Sequence, residues 1–88
     1  IDEFSLAQNY PNPFNPNTQI NFSLPQSGQV QLRVYNMLGQ QVSVLVDERR
    51  NAGAHSIRFN ASALASGVYV YELRFNGSVL TNKMILLK

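Results

Sequence analysis

The chain has 88 residues, the size of one small domain, with no cysteine and one histidine, His55. Disulfide scaffolds, thiol nucleophiles, zinc clusters and histidine-based triads are mostly excluded by that inventory. The net charge of +2 arises from Arg33, Arg49, Arg50, Arg58, Arg74, Lys83 and Lys88, scattered singly or in pairs, a poor footprint for nucleic acid.

The N-terminus, Ile1-Asp2-Glu3-Phe4, has no basic n-region and no initiator methionine, so the chain reads as a piece of a longer protein. No apolar run approaches the roughly 20 residues that span a bilayer as a helix. Residues 1–8 read as a linker. The block Asn9-Tyr10-Pro11-Asn12-Pro13-Phe14-Asn15-Pro16 follows, and its three prolines forbid a helix or a central strand. Tyr10 and Phe14 are unusual in a linker, because aromatic side chains of that size bury against something. The block is therefore expected to be a structured loop whose two rings plug the end of the domain, with a docking knob for a partner as the alternative, and Asn9, Asn12 and Asn15 are expected to hydrogen-bond their own turns.

From Thr18 onward the pattern is all-β. Ile20, Phe22 and Leu24 alternate with polar residues up to the turn Pro25-Gln26-Ser27-Gly28. Val30, Leu32 and Val34 repeat the alternation, and Val42, Val44 and Val46 continue it beyond Asn36-Met37-Leu38-Gly39, which predicts a hairpin. Asp47 to Ala52 reads as a polar loop with Arg49-Arg50 at its tip. Ile57 and Phe59 then face inward together with His55. The segment Asn60 to Gly67 breaks the period and predicts one helical turn that tucks Leu64 under a sheet edge and crosses between sheets. Val68 to Phe75 is apolar at both parities, as expected of a middle strand covered on much of both faces. Asn76-Gly77 is a strong type I′ hairpin signal, so the last two strands should pair antiparallel. The sum is an all-β, immunoglobulin-like antiparallel β-sandwich of about seven strands.

Six blocks in order carry a family resemblance. They are Asn9 to Pro16; Ile20 to Pro25; Leu32-Arg33-Val34-Tyr35-Asn36 with Leu38-Gly39 and Val42; Gly53-Ala54-His55; Leu64-Ala65-Ser66-Gly67-Val68-Tyr69; and Lys83-Met84-Ile85-Leu86-Leu87-Lys88. On these the chain closely resembles the type A C-terminal sorting domain of type IX secretion. The resemblance implies an immunoglobulin-like domain over residues 9–88 that follows an N-terminal cargo and directs it, through the periplasm, to the cell surface or the medium. It implies a translocon and a sortase-like signal peptidase as partners, with cleavage around Ile1 to Gln8. It assigns recognition to Lys83, Met84, Ile85, Leu86, Leu87 and Lys88 together with Gly67 and Tyr69, and it marks the domain's start by Asn9, Tyr10, Pro11, Asn12, Pro13 and Phe14.

Other chemistries are weakly represented. Asp47-Glu48 are adjacent carboxylates without calcium-loop spacing or a catalytic partner, so no metal, cofactor or small-molecule substrate is expected and the domain reads as no enzyme. Tyr35, Tyr69 and Tyr71 offer a carbohydrate-binding platform as an alternative, although Leu73 and Phe75 share the parity of the last two and suggest core. A structural spacer is the third class. Lys83 and Lys88 flank the final strand, either as guards of an edge or as a basic surface for strand addition to a receptor.

Overall fold

The computed structural model describes residues 3–88. Seven strands make it up: β1 (Ser5–Leu6), β2 (Asn17–Leu24), β3 (Gly28–Tyr35), β4 (Gln41–Arg50), β5 (Gly53–Asn60), β6 (Gly67–Phe75) and β7 (Ser78–Leu86). One sheet runs β1-β2-β5 and the other β4-β3-β6-β7, with every ladder antiparallel. The chain changes sheet after β2, β4 and β5, the connectivity of an immunoglobulin-like sandwich.

Period-2 alternation explains why these segments are strands. In β2 the inward set is Thr18, Ile20, Phe22 and Leu24, and in β3 it is Val30, Leu32 and Val34; all of these are buried. Tyr71, Leu73, Met84 and Leu86 meet them from β6 and β7 with no exposed surface. β3 and β4 form the expected hairpin, and β6 and β7 turn at Asn76 (φ 50°) and Gly77 (φ 78°), the positive values a type I′ turn needs. Gly28 is required by close approach, since a Cβ there would stand 2.8 Å from Cε1 of Phe75.

Four expectations are corrected. Asp47 to Arg50 is not a loop: β4 continues to Arg50, with Gln29 and Gln31 amides donating to Asp47 Oδ1 at 3.1 and 3.2 Å across the ladder, and only Asn51-Ala52 links it to β5. Val44 does not face the core, because a register shift opposite Leu32 and Arg33 turns it outward and leaves Leu45 and Val42 packed on the core edge. The segment after β5 makes a single turn, Leu64 N–H to Ala61 O at 2.9 Å, without becoming a helix; Ala61 is the buried residue and Leu64 only lies against the core. β6 is the inner strand foreseen, between β3 and β7, but just one of its faces is core, and Val68 on the other is 38% exposed.

Candidate recognition surface

The proline-rich segment is a lace between the sheets. Tyr10 extends the β1 side of β2, exchanging two backbone hydrogen bonds with Gln19 at 3.0 and 2.9 Å. The chain then crosses to β7, where Phe14 N–H donates to Ile85 O at 2.9 Å and Leu87 N–H to Phe14 O at 3.0 Å. It returns to β2 past Pro16, whose carbonyl accepts from Ala61 N–H at 2.9 Å. The Tyr10-Pro11, Asn12-Pro13 and Asn15-Pro16 peptide bonds are cis.

Its two rings have opposite fates. Phe14 is the expected plug, 2% exposed and 6.3 Å from the ring of Phe59. Tyr10 is not a plug: its ring stands 80% exposed, because its backbone pairs with β2 while its side chain falls on the solvent face, beside Pro11, Gln19 and Arg58.

Asn9 begins a buried polar knot. Its side-chain amide donates to Pro11 O at 3.2 Å, the local turn expected of it, and to Thr18 Oγ1 at 3.0 Å. Thr18 Oγ1 in turn donates to Pro11 O at 2.9 Å. The Asn9 backbone N–H donates to the Tyr71 hydroxyl at 2.8 Å, which donates to Ala7 O at 2.7 Å. Burial pushes the Tyr71 phenol above its ordinary 10.0, opposed by hydrogen bonds from the Asn82 side chain and the Asn9 backbone. Asn12 departs from expectation. Rather than bonding its own turn, its Oδ1 accepts from Ile85 N–H at 2.9 Å.

Sheet alternation splits the terminal block in two. Met84 and Leu86 are fully buried, whereas Ile85 and Leu87 are 38% and 55% exposed, and Lys83 and Lys88 also face solvent. Lys88 is tied to the loop before β6, its Nζ donating to Ser62 O at 2.5 Å and its backbone N–H to Ser66 Oγ at 3.0 Å. The outer edge of β7 is not bare. Asn12 and Phe14 take the groups at Ile85 and Leu87, and Gln8 Nε2 donates to Lys83 O at 2.7 Å. A receptor strand could not pair with that end while the lace is in place. Gly67 sits at φ 156° with open space around it, and Tyr69 is 8% exposed with its hydroxyl donating to Ala65 O at 2.6 Å, a tyrosine corner at the entry to β6.

A family model described as a secretion system C-terminal sorting domain matches residues 8–87, which takes in both the lace and the terminal block. The chain belongs to that family. It is a C-terminal sorting signal for type IX secretion, and it marks protein for export across the outer membrane to the surface or the extracellular space. Among curated proteins no match was found.

Several of the sorting domain's other polar residues are committed to structure. Tyr69 and Tyr71 point into the core, which removes them as a sugar platform, and Tyr35 lies on the outer face with its hydroxyl 3.4 Å from Glu72 Oε1. Glu72 accepts from Arg74 Nε at 2.7 Å. Glu48 Oε2 lies 2.8 Å from Arg50 Nε, an ion pair not aligned as a hydrogen bond. His55 stacks on Phe22 at 5.2 Å, and its Nε2 is 2.8 Å from Asn51 O. Gln8 and Asn82, and the structural role of Tyr71, are what a linear reading misses. Their long-range partners lie 75 residues away for Gln8 and Lys83, 62 for Tyr71 and Asn9, and 76 for Asn82 and Leu6, and no local pattern signals them.

Proposed function

We propose that the translocon reads this sorting domain as a folded unit, through the half of the terminal block that alternation turns outward: Lys83, Ile85, Leu87 and Lys88. The observation that carries this reading is the complete burial of Met84 and Leu86 beside exposed Ile85 and Leu87. A partner meeting the folded sandwich touches the exposed set and not the buried one. Gly67 and Tyr69 support recognition indirectly, by shaping the entry to β6 that pairs with this strand.

Processing by a sortase-like peptidase falls N-terminal to Ser5. Phe4 packs on the core, Ser5 pairs with Ser23 and Leu6 with Phe22, and Ala7 N–H donates to Asn21 O at 2.9 Å, so cutting from Ser5 to Gln8 would require unpairing β1. Within the expected cleavage region, Ile1 and Asp2 lie outside the described residues. The folded unit thus begins ahead of Asn9, and a junction to the cargo belongs before Ser5. The domain passes through the periplasm folded and does no catalysis; the commitment of Asp47, Glu48, Glu72 and His55 to neighbours on the sheet supports that.

The test is a reporter fused ahead of residues 1–88 in a type IX-competent host, carrying Lys83→Ala with Lys88→Ala. Retention of the reporter in the periplasm, with the melting temperature of the domain little changed, is the expected result. Normal export of the double variant would sink the reading.

A further inference from the structure

Three of the four sheet edges are shortened, partly covered or interrupted. β1 is two residues long, and Asn82 Nδ2 donates to the carbonyls of Leu6 and Ala7 at 3.1 and 3.3 Å. β7 is covered by Gln8, Asn12 and Phe14 over its last residues. β4 is interrupted by two register shifts against β3 and carries Asp47, Glu48, Arg49 and Arg50 in succession, both recognised ways of blunting an edge.

β5 has none of these defences. It runs from Gly53 to Asn60 in unbroken register with β2 on one side, and among the described residues no strand pairs with it on the other. It holds no proline, no lysine and one permanent charge, Arg58. The side of the sandwich beneath it is open as well. β4 and β5 do not pair, and Val42, Leu45 and Ile57 pack on the core while remaining only half-buried. The lace that shuts the β1 and β7 side has no counterpart here among the described residues.

We propose that β5 is a strand-addition site, which takes an extended segment of a partner protein with apolar side chains at alternate positions and a carboxylate across from Arg58. Backbone hydrogen bonds along the free edge supply affinity, and the alternate apolar side chains enter the gap beside Ile57, Val42 and Leu45. Charge selects the partner. The outward residues of β5 are Ala54, Ser56, Arg58 and Asn60, and β2 sets Gln19 opposite Arg58, so among the described residues the guanidinium has no carboxylate across the ladder. A second copy of β5 would bring another arginine and no acid. The sorting reading supplies the natural source of the segment, a component of the export machinery, but the pairing is testable without it.

The probe is a peptide of about eight residues, the length of an ordinary strand, alternating valine and threonine with one central glutamate. Titrated into the isotope-labelled chain, it is expected to shift the amide resonances of Gly53 to Asn60 and to slow their hydrogen exchange. Arg58→Glu should weaken binding about tenfold through like-charge opposition, and a lysine in place of the peptide's glutamate should restore it. Ile57→Lys, an inward charge at the gap, should abolish it. Shifts centred on β4 or β7, or equal affinity for wild type and Arg58→Glu, would overturn the proposal. In cells, Arg58→Glu fused to the reporter should export about tenfold less. Export of wild type and Arg58→Glu alike would remove the export machinery as the partner, whereas failure of wild type to export would strike the sorting reading and leave the peptide result standing.

Discussion

Asn12 and Ile85 are 73 residues apart in sequence, yet the Asn12 side-chain oxygen accepts the Ile85 backbone N–H at 2.9 Å. This bond joins the proline-rich block to the terminal block, the two ends of the family's signature. An edge strand presents unpaired backbone groups that recruit other chains. In the sorting domain the lace of Gln8, Asn12 and Phe14 takes up those groups at the far end of β7, so each signature block stabilises the other.

Removing the latch separates its local from its global effect. Asn12→Ala leaves the Ile85 N–H without its partner and is expected to cost about 1 kcal/mol. Amide exchange at Ile85 and Leu87 should accelerate more than exchange in β3. Uniform acceleration across the domain would show that Asn12 acts on global stability alone.

The two rings of the lace should behave oppositely. Phe14→Ala empties a buried site and is expected to cost about 3 to 5 kcal/mol, while Tyr10→Ala at the surface should stay within about 0.5 kcal/mol. Denaturant titration of both variants checks the pair. Equal losses would contradict the geometry.

These residues also show how far the sequence is legible. Alternation at Ile20, Phe22 and Leu24, and again at Val30, Leu32 and Val34, reports which face is buried, and Asn76-Gly77 reports its turn, because both signals are local. Tyr10 is misread because its spacing from Phe14 says nothing about the crossing between them, which sends one ring to solvent and the other to the core. Val44 is misread because a bulge inverts parity without changing composition. The polar knot of Asn9, Thr18 and Tyr71 is invisible for a similar reason. Each member is an ordinary strand or loop residue until the fold brings it beside the others, and the burial that raises the Tyr71 pKa arises only there.

Gly28 is a packing requirement. A methyl group there would meet the Phe75 ring at 2.8 Å, and that ring is itself buried and 5.8 Å from Phe4. Gly28→Ala is expected to destabilise by about 1 to 3 kcal/mol through overpacking. The double variant with Phe75→Leu should recover part of the loss, and a strictly additive pair would argue that the two positions are not in contact.

Alkali should destabilise the domain through Tyr71. The folded-state pKa lies above the ordinary 10.0, so the folded protein holds the phenolic proton more tightly than the unfolded chain does. The stability from this group is complete below pH 10.0 and falls as pH rises through the folded value. Tyr71→Phe should flatten that alkaline slope while lowering stability near neutrality by about 1 to 3 kcal/mol, since the Asn9 N–H and the Ala7 carbonyl each lose a partner. An unchanged slope in urea titrations at successive pH values would assign the alkaline loss to another group.

The most direct measurement places a fluorescent reporter ahead of residues 1–88 and follows it in a type IX-competent host and in a matched strain without the translocon. The expected result is reporter at the surface or in the medium of the first strain and in the periplasm of the second. Reporter held in the periplasm of both strains, with the domain folded and intact, would contradict the assignment of this sandwich as a sufficient sorting signal.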